Sequence, residues 1–435
     1  MSHIVIVGAG QAAGQAAASL RQGGFEGEIT LLGDEAYAPY QRPPLSKQYL
    51  AGELDADKVL LRPEAFYAGK DIDLRTGVRV TAIDRAAKSI STDNGDTLSY
   101  DQLLLATGGT IAGRGADSAT LNDYSAGVLR GEDLLAAVPQ LQDLATINVE
   151  QIANVDSADL LFEHWRALVG RIRDALAADP ELSGVVITHG TNTLEETAWL
   201  LQLLIDDPRP VVLVGAMRPA TALSADGPLN LFQAVQVALS PEARGHGVLV
   251  VMDGQIHPSR HVGKVATQGV GAFASPGYGP LGCVADMGVH LPTATGSRQV
   301  PFAALALPEQ WPQVPIVYGC VEPDPLILQA CLNAGAPGLV FTGTGAGQLS
   351  AAERSVLQAW PGKRPLMLRA NRCGSGPVHH HHEDERLGLL PAGNLSPQKA
   401  RVLLLLALIA GLSRDDLAEL ISAAPVTATP FIATP

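Results

Sequence analysis

Short runs of aliphatic and β-branched residues, each followed by a glycine turn and in two cases by a helix-forming stretch, recur along this chain. The pattern occurs at residues 4–10, 103–109 and 185–190. Strands that alternate with helices form parallel sheets with right-handed crossovers, and ligands bind at the carboxyl ends of such strands. The pattern therefore predicts an α/β protein with functional residues in the turns after its strands.

Composition limits the partners of such a fold. The 435 residues suggest about three domains. A net charge of −14 and only 5% aromatic residues argue against binding to nucleic acid. The longest apolar run, Val402 to Leu412, has 11 residues and is too short to span a bilayer. We therefore expect a small-molecule partner, with no nucleic acid and no membrane.

The first glycine turn has the spacing of a dinucleotide-binding motif. Gly8, Gly10 and Ala13 follow a short strand and precede a helix-forming stretch. Such glycines let a pyrophosphate approach the helix N-terminus. A second predicted strand, residues 28–32, leads to Glu35, whose carboxylate could bind a ribose. The alternative is a glycine turn required only for packing.

Three further features accompany that turn. They are the string from Arg42 to Lys47 (Arg-Pro-Pro-Leu-Ser-Lys), a hairpin signal at residues 94–95, and Ala-Thr-Gly at 106–108. Together they resemble the first FAD-binding segment of ferredoxin-reductase-type flavoproteins. The resemblance implies FAD at the glycine turn, with Arg42 and Lys47 near the flavin. That family's nicotinamide-binding glycine motif does not follow in the sequence, so we do not expect reductase activity.

A second set of motifs begins at Leu103. Residues 103–113, 185–198 and 211–219 each read as strand and turn, and Asn-Leu-Ser-Pro-Gln-Lys-Ala-Arg occupies 394–401. These motifs resemble the bacterial type II L-asparaginases and glutaminase-asparaginases. The resemblance implies an asparaginase-like two-domain parallel-sheet fold, hydrolysis of L-asparagine without a cofactor, and a homotetramer. Within 185–198, Thr193 and Glu196 also predict a capping box at a helix start.

The resemblance also assigns catalytic roles. Thr110 matches the nucleophile, and Tyr124 matches the tyrosine that covers and orients it. Thr191 matches a second active-site threonine, and Lys264 its lysine partner. A free hydroxyl is a poor nucleophile, and a desolvated lysine beside it can accept its proton.

Substrate binding is assigned in the same way. Ser157 matches a residue that holds the substrate α-carboxylate. Asn192 occupies the place of a family aspartate that binds the α-ammonium and organises the threonine–lysine pair. Loss of one partner of a desolvated charge pair costs about 3–5 kcal/mol, which is roughly two to three decades of rate or more. We expect lowered activity; alternatively, the family tolerates asparagine here.

The loop near residue 383 is variable in this family, where it lends an acidic residue to the neighbouring subunit. Glu383 is the candidate for that acid. The preceding run His379 to His382 could bind metal opportunistically, but we assign no metal site.

The two resemblances overlap at residues 103–109, and one strand cannot serve both sheets. We expect the asparaginase to keep it. The expected domains are a partial FAD/NAD(P)-binding Rossmann-like segment (1–102), a catalytic domain (103–300), a linker (301–311) and a C-terminal domain (312–435). The residues shared by the two resemblances suggest that two unrelated genes were joined there, by recombination, by engineering or through an assembly error.

Three functions are consistent with the sequence. The first is L-asparaginase, or a glutaminase-asparaginase of broader amide specificity. The second is a flavin-binding oxidoreductase fragment, and the third is a catalytically silent binding protein. The N-terminus lacks the basic region of a signal peptide, so we expect a cytoplasmic protein, although export as in some relatives stays open.

Overall fold

The chain divides into two compact units, Met1–Ala106 with Leu129–Gln151, and Thr107–Val128 with Ile152–Pro435. Each unit is described by itself. Among the described residues no helix combines the length and hydropathy needed to cross a bilayer. The residues described by the computed structural model are 3–7, 17–18, 20–21, 25–33, 36–39, 60, 62–84, 89–95, 97–99, 106–108, 114–115, 124–125, 131–286, 288–292, 294 and 300–423.

The first unit contains two small sheets. Its elements are β1 His3–Val7, β2 Glu28–Leu32, β3 Ile72–Arg75, β4 Val80–Asp84, β5 Ser89–Thr92, β6 Thr97–Ser99, α1 Glu64–Ala68, α2 Gly131–Ala136 and α3 Leu141–Leu144. The first three strands form a parallel sheet in the order β1-β2-β3, and the next three form an antiparallel one. Ile29, Leu31, Tyr67 and Ile72 belong to its small core. The predicted strand at 28–32 is confirmed, and so is the hairpin, where Gly95 has a φ of 91°.

The second unit begins with a six-stranded sheet and its covering helices. The elements of this part are β7 Ala106–Gly108, β8 Arg114–Gly115, β9 Tyr124–Ser125, β10 Gln151–Val155, β11 Val185–Thr188, β12 Val211–Val214, β13 Val248–Met252, β14 Gln255–Pro258, β15 Gly263–Lys264, β16 Phe273–Ala274, β17 Gly282–Ala285, β18 Gly288–His290, α4 Phe162–Ala178, α5 Leu194–Leu204, α6 Gly227–Leu239, and 3₁₀ turns at Ser157–Asp159 and Pro241–Ala243. The sheet order is β11-β12-β13-β14-β17-β18. β12 and β13 are buried throughout, as expected for parallel strands covered by helices.

This sheet is parallel only in its first half. β11, β12 and β13 are parallel, whereas β14, β17 and β18 add to it antiparallel. The change occurs at the turn between β13 and β14, where Asp253 and Gly254 have φ values of 50° and 71°. Two successive residues with positive φ make the tight hairpin turn that reverses a strand. An Asp-Gly pair is a hairpin signal in the sequence, and it limits the expected parallel arrangement to part of the sheet.

The C-terminal part has an all-parallel sheet. Its elements are β19 Ile316–Tyr318, β20 Gly338–Gly343, β21 Leu366–Asn371, β22 Leu389–Pro391, α7 Pro325–Asn333, α8 Ala351–Ala359, α9 Asp384–Leu387, α10 Pro397–Ile409 and α11 Arg414–Ala423. The apolar run begins in α10, whose N-cap is Ser396. This helix packs against α5 and β20, so one hydrophobic core links both parts of the unit. The alternation of strands and helices predicted from the sequence is confirmed in both parts.

Candidate active site

The turn between β11 and α5 brings a threonine and a lysine together. Thr191 is buried in this turn, at 4% exposure. Lys264, on the short strand β15, donates from Nζ to Thr191 Oγ1 at 2.8 Å and to Asn192 Oδ1 at 3.0 Å. The turn lies at the carboxyl end of a parallel strand, where the sequence places functional groups. The structure thus joins three of the predicted site residues, whose roles remain predictions.

The electrostatics of Lys264 suit a proton acceptor. Burial lowers the pKa of its ammonium, and the negative charge of Asp156 acts in the opposite direction. A lowered pKa increases the fraction of neutral amine near neutral pH. A neutral amine 2.8 Å from a hydroxyl can take the hydroxyl proton during nucleophilic attack.

Ser157 closes the other side of the turn. It lies at the start of a 3₁₀ turn and is 2% exposed. Its Oγ accepts from the backbone N–H of Asn192 at 3.1 Å. A Cβ at Gly190 would lie 2.6 Å from Ser157 Oγ, so only glycine permits this approach. The predicted substrate-binding serine therefore lies beside the predicted catalytic threonine.

The capping box predicted for α5 is wrong. The helix begins after Thr193 as expected, but this residue makes no side-chain capping bond. Its hydroxyl instead donates to the carbonyl of Ser157 at 2.8 Å. This hydrogen bond uses the hydroxyl that a capping box would need at the helix N-terminus. It also holds Ser157 against the turn.

A buried histidine, His189, makes hydrogen bonds to the turn and to helix α5. His189 Nδ1 lies 2.7 Å from the carbonyl of Gly190, and its Nε2 lies 2.9 Å from Thr197 Oγ1. Thr197 Oγ1 also accepts from Trp165 Nε1 at 2.9 Å. Because a carbonyl can only accept, Nδ1 carries the proton and Nε2 accepts from the threonine. Burial lowers the pKa of His189 to about 4, so the ring is neutral at physiological pH.

The loop before Lys264 is held by a second buried lysine. Lys399, on α10, donates from Nζ to the carbonyls of Ser259 at 2.7 Å, Arg260 at 3.1 Å and Val262. Burial lowers the pKa of this lysine to about 7. All three ammonium protons have acceptors, so α10 fixes the backbone that leads into β15 and Lys264.

Glu195 fixes the strand from the opposite side. Its Oε2 accepts from the backbone N–H of Lys264 at 3.3 Å. A Cβ at Gly263 would meet this oxygen at 2.9 Å, which explains the glycine before the lysine.

Several predicted residues are not placed by the structure. Tyr124 has its backbone in β9, opposite Gly115 of β8, but its side chain is outside the described part. None of the predicted FAD contacts is described, so no flavin chemistry is derived from them. The predicted residues that lie wholly outside the described part are Thr110, Gly8, Gly10, Ala13, Glu35, Arg42 and Lys47.

Glu383 is placed, but away from the turn. Its carboxylate pairs with Arg354 at 3.6 Å and with Arg386. No contact with the Thr191 turn is found in the described part of the chain. Ligand atoms of His381, His382 and Glu383 lie within 4.8 Å of one another. Both guanidiniums already engage the carboxylate, so this group is poorly prepared for a metal ion.

Sequence reasoning missed four supporting residues. Asp156, His189, Glu195 and Lys399 each lie in or beside a motif that was recognised. A signal was present for three of them, because Asp156, His189 and Glu195 lie within three residues of a predicted site residue. Lys399 lies in the 394–401 motif, which contains no predicted site residue. Their partners, however, are distant in sequence and become visible only in the folded chain.

The fold and the hydroxyl–amine pair define an α/β protein with a buried threonine hydroxyl beside a lysine of lowered pKa, at the carboxyl end of a parallel strand. The comparisons with known proteins then identify its family. Residues 103–295 match the family described as "Asparaginase, N-terminal", and residues 313–421 match "Glutaminase/Asparaginase C-terminal domain". The chain belongs to the asparaginase family, and the predicted asparaginase-like α/β fold is confirmed.

Individual relatives agree with this assignment. L-asparaginase 2 of Bacillus subtilis is 42% identical over 308 residues, which cover 70% of this chain and 81% of that protein. The glutaminase-asparaginase of Pseudomonas fluorescens is 38% identical over 312 residues, covering 70% and 85%. The crystal structure of a probable cytoplasmic L-asparaginase from Campylobacter jejuni superimposes with a TM-score of 0.69 at 39% identity, covering 73% of this chain and 98% of that one.

The N-terminal resemblance is also confirmed at the family level. Residues 2–130 match the family described as "Pyridine nucleotide-disulphide oxidoreductase". This match overlaps the asparaginase match at residues 103–130, the region that both resemblances claimed in the sequence. The Rossmann-like character of the segment follows from the match and from the parallel β1-β2-β3 sheet.

Proposed function

We propose that this chain is an L-asparaginase, which hydrolyses L-asparagine to L-aspartate and ammonia through a threonine nucleophile. The observation that carries the proposal is the contact between Lys264 Nζ and Thr191 Oγ1 in a buried turn. Relatives at 36–42% identity that bear the name L-asparaginase support it.

The chemistry needs a nucleophile and a route for its proton. Thr110 is the proposed nucleophile: its hydroxyl oxygen attacks the side-chain carbonyl carbon, the C–N bond breaks, and ammonia leaves with a proton. Water then hydrolyses the threonyl ester. Thr191 and Lys264 move the proton of the attacking group, and Tyr124 covers Thr110. Ser157 and Asn192 bind the substrate's α-carboxylate and α-ammonium ends.

The proposal is tested by ammonia release from L-asparagine with no cofactor added. Lys264→Met removes the amine, and we expect kcat to fall by about 10²–10⁴-fold, as for loss of a general base. The matched control is Lys363→Met, an exposed lysine in the C-terminal part, which should leave the rate unchanged. Equal rates for the chain and Lys264→Met would contradict the proposal.

Glutaminase activity is the second candidate within the same site. The relative from Pseudomonas fluorescens bears the name glutaminase-asparaginase, and its identity of 38% is close to that of the asparaginases. The ratio of kcat/KM for L-asparagine and L-glutamine decides between the two specificities.

A flavin-dependent oxidoreductase is the candidate from another class. The match of residues 2–130 supports nucleotide binding by the N-terminal segment, for which FAD is the proposed cofactor. NADH-dependent dye reduction by the purified chain would support this function, whereas ammonia release without dye reduction would exclude it.

We also infer a homotetramer in the cytoplasm, with Glu383 reaching a neighbouring site. Exposed apolar side chains in the C-terminal part, Val321 (91%), Leu326 (64%) and Ile327 (58%), support association, because such residues mark interfaces. Light scattering after size-exclusion chromatography tests the tetramer, and cell fractionation tests the compartment. A monomer of full activity would exclude a shared site.

A further inference from the structure

The side-chain amide of Asn192 lies between a carboxylate and an ammonium. Its Nδ2 donates to Asp156 Oδ1 at 3.2 Å, and its Oδ1 accepts from Lys264 Nζ at 3.0 Å. A carboxylate only accepts and an ammonium only donates, so the amide can face these two groups in one orientation only. The result is a continuous chain of hydrogen bonds from Asp156 through Asn192 to Lys264 and Thr191.

Asp156 is held in place by its own turn. It is the N-cap of the 3₁₀ turn Ser157–Asp159, and its Oδ1 accepts from the backbone N–H of Ala158 at 2.8 Å. The neighbouring Ser157 is bonded to the backbone of Asn192 and to the hydroxyl of Thr193. The carboxylate is therefore fixed relative to the amide before any substrate binds.

The charge of Asp156 acts on Lys264. It raises the pKa of that amine against the lowering caused by burial. Among the described residues, Glu195 is the second acidic group near this lysine. Its Oε2 accepts from the backbone N–H of Lys264 at 3.3 Å rather than from the ammonium. The carboxylate of Asp156 is thus connected to the amine of Lys264 through the side chain of Asn192.

We propose that Asp156 is a positioning residue for the hydrolysis: through the amide of Asn192 it orients Lys264 toward Thr191 and supplies the negative charge that a neutral residue at position 192 lacks. The inference rests on the proposed asparaginase function. The sequence alone led us to expect that the neutral Asn192 weakens the site. In the structure, the negative charge is instead carried by Asp156, which contacts Asn192.

The inference reverses the outcome expected for Asn192→Asp. A carboxylate at position 192 would face the Asp156 carboxylate at about the present hydrogen-bond distance, and two like charges so close cannot both ionise freely. The single substitution should therefore give no gain in kcat/KM. In a protein that also carries Asp156→Asn, the same substitution restores a single carboxylate beside Lys264 and should rescue activity.

The experiment compares four proteins: the unchanged chain, Asp156→Asn, Asn192→Asp and the double variant. Asparagine is an effective N-cap, so Asp156→Asn keeps the turn and removes only the charge. Ammonia release from L-asparagine is measured across pH 6–10, and kcat/KM is compared on the plateau of each profile. The matched control is Asp159→Asn, an exposed aspartate of the same 3₁₀ turn.

For Asp156→Asn we expect kcat/KM to fall roughly tenfold or more, the order expected when a hydrogen bond to a charged group becomes a neutral one. The step in the pH profile that reports Lys264 should move to lower pH, because the charge that raises its pKa is gone. The double variant should recover most of the loss, and Asp159→Asn should match the unchanged chain.

Two results would overturn the inference: an unchanged kcat/KM in Asp156→Asn, or a double variant no better than Asp156→Asn. A gain of two or more decades from Asn192→Asp alone would overturn it as well. If the unchanged chain releases no ammonia, the proposed function fails and the positioning role fails with it. Ammonia release by the chain together with full activity in Asp156→Asn sinks only the positioning role.

Discussion

In the sequence, both units carry the same local pattern, an apolar strand followed by a glycine-rich stretch. In the second unit, side chains from two other segments contact the turn at residues 190–193: Asp156 and Ser157 from one segment and Lys264 from the other. In the first unit, the described residues include a sheet of three parallel strands and a small core. The turn of the second unit shows that a site needs partners from distant segments in addition to the local geometry of the glycine turn.

The core of each unit shows the same contrast. The core of the second unit includes residues of α4, α5, α10 and strands of its two largest sheets. Among the described residues, the core of the first unit is a smaller cluster that includes Ala17, Leu31 and Tyr67. Precise placement of catalytic groups requires rigid elements packed on several sides. We therefore assign the amide chemistry to the second unit.

The largest effect should come from removing the hydroxyl of Thr191. Thr191→Val keeps the shape of the side chain but leaves Lys264 without its 2.8 Å partner. We expect kcat to fall by about 10³-fold or more, as for loss of a group that acts only in the transition state. Thr191→Ser retains the hydroxyl and should keep most activity. Steady-state ammonia release measures both, and a valine variant within fivefold of the chain would refute the assignment.

Gly190→Ala should have the next largest effect. The added Cβ would lie 2.6 Å from Ser157 Oγ and 2.7 Å from its Cβ. We expect a loss of about 1–3 kcal/mol in the free energy of unfolding and a raised KM, because overpacking shifts Ser157. Gly170→Ala is the control: it is exposed in α4 with no atom near the new Cβ, and should stabilise by about 0.5–1 kcal/mol. If Gly190→Ala and the unchanged chain had the same free energy of unfolding in urea, the close contact between Gly190 and Ser157 would be contradicted.

His189 should make the stability fall in mild acid. Its pKa is about 4 in the folded chain, below its ordinary value of 6.5, because burial disfavours the imidazolium. The unfolded chain then binds more protons between pH 6.5 and 4, so the free energy of unfolding falls as pH decreases through this window. The loss from this residue is about 3 kcal/mol.

The pH dependence is measured by urea unfolding at pH 7 and pH 4.5, in the chain and in His189→Asn. His257, whose pKa is also about 4, leaves part of the slope in the variant. Identical slopes in the two proteins would show that His189 is not buried in its neutral form.

The smallest effect is expected in the first unit. Arg42→Ala removes a predicted flavin contact, and kcat/KM for L-asparagine should stay within twofold because this residue belongs to the other unit. A tenfold loss would show that the two glycine-turn regions are functionally coupled, and the assignment of amide chemistry to the second unit would fail.

Much of the fold was predictable from local patterns. The β-branched runs at 28–32, 185–188 and 211–214 are strands, and Ser396 caps the helix that follows it. The antiparallel half of the main sheet was not predicted, although Asp253 and Gly254 carried the signal in the sequence. Local periodicity identifies an element but does not say which edge of a sheet it joins.

The site was predictable only as far as motif matching reaches. Thr191, Lys264, Ser157 and Asn192 were selected by resemblance, and the structure places them together. The contact between Asp156 and Asn192 joins two loops that are distant in sequence, so no local pattern predicts it. The hydroxyl of Thr193 shows the converse, since a strong local motif was displaced by a tertiary hydrogen bond.

The most direct test of this account is the initial rate of ammonia release from L-asparagine by the full chain, measured with and without added FAD. The proposed hydrolysis uses the Thr191–Lys264 pair and needs no flavin, so we expect steady release at the same rate in both conditions. No release, or release only when FAD is present, would contradict it.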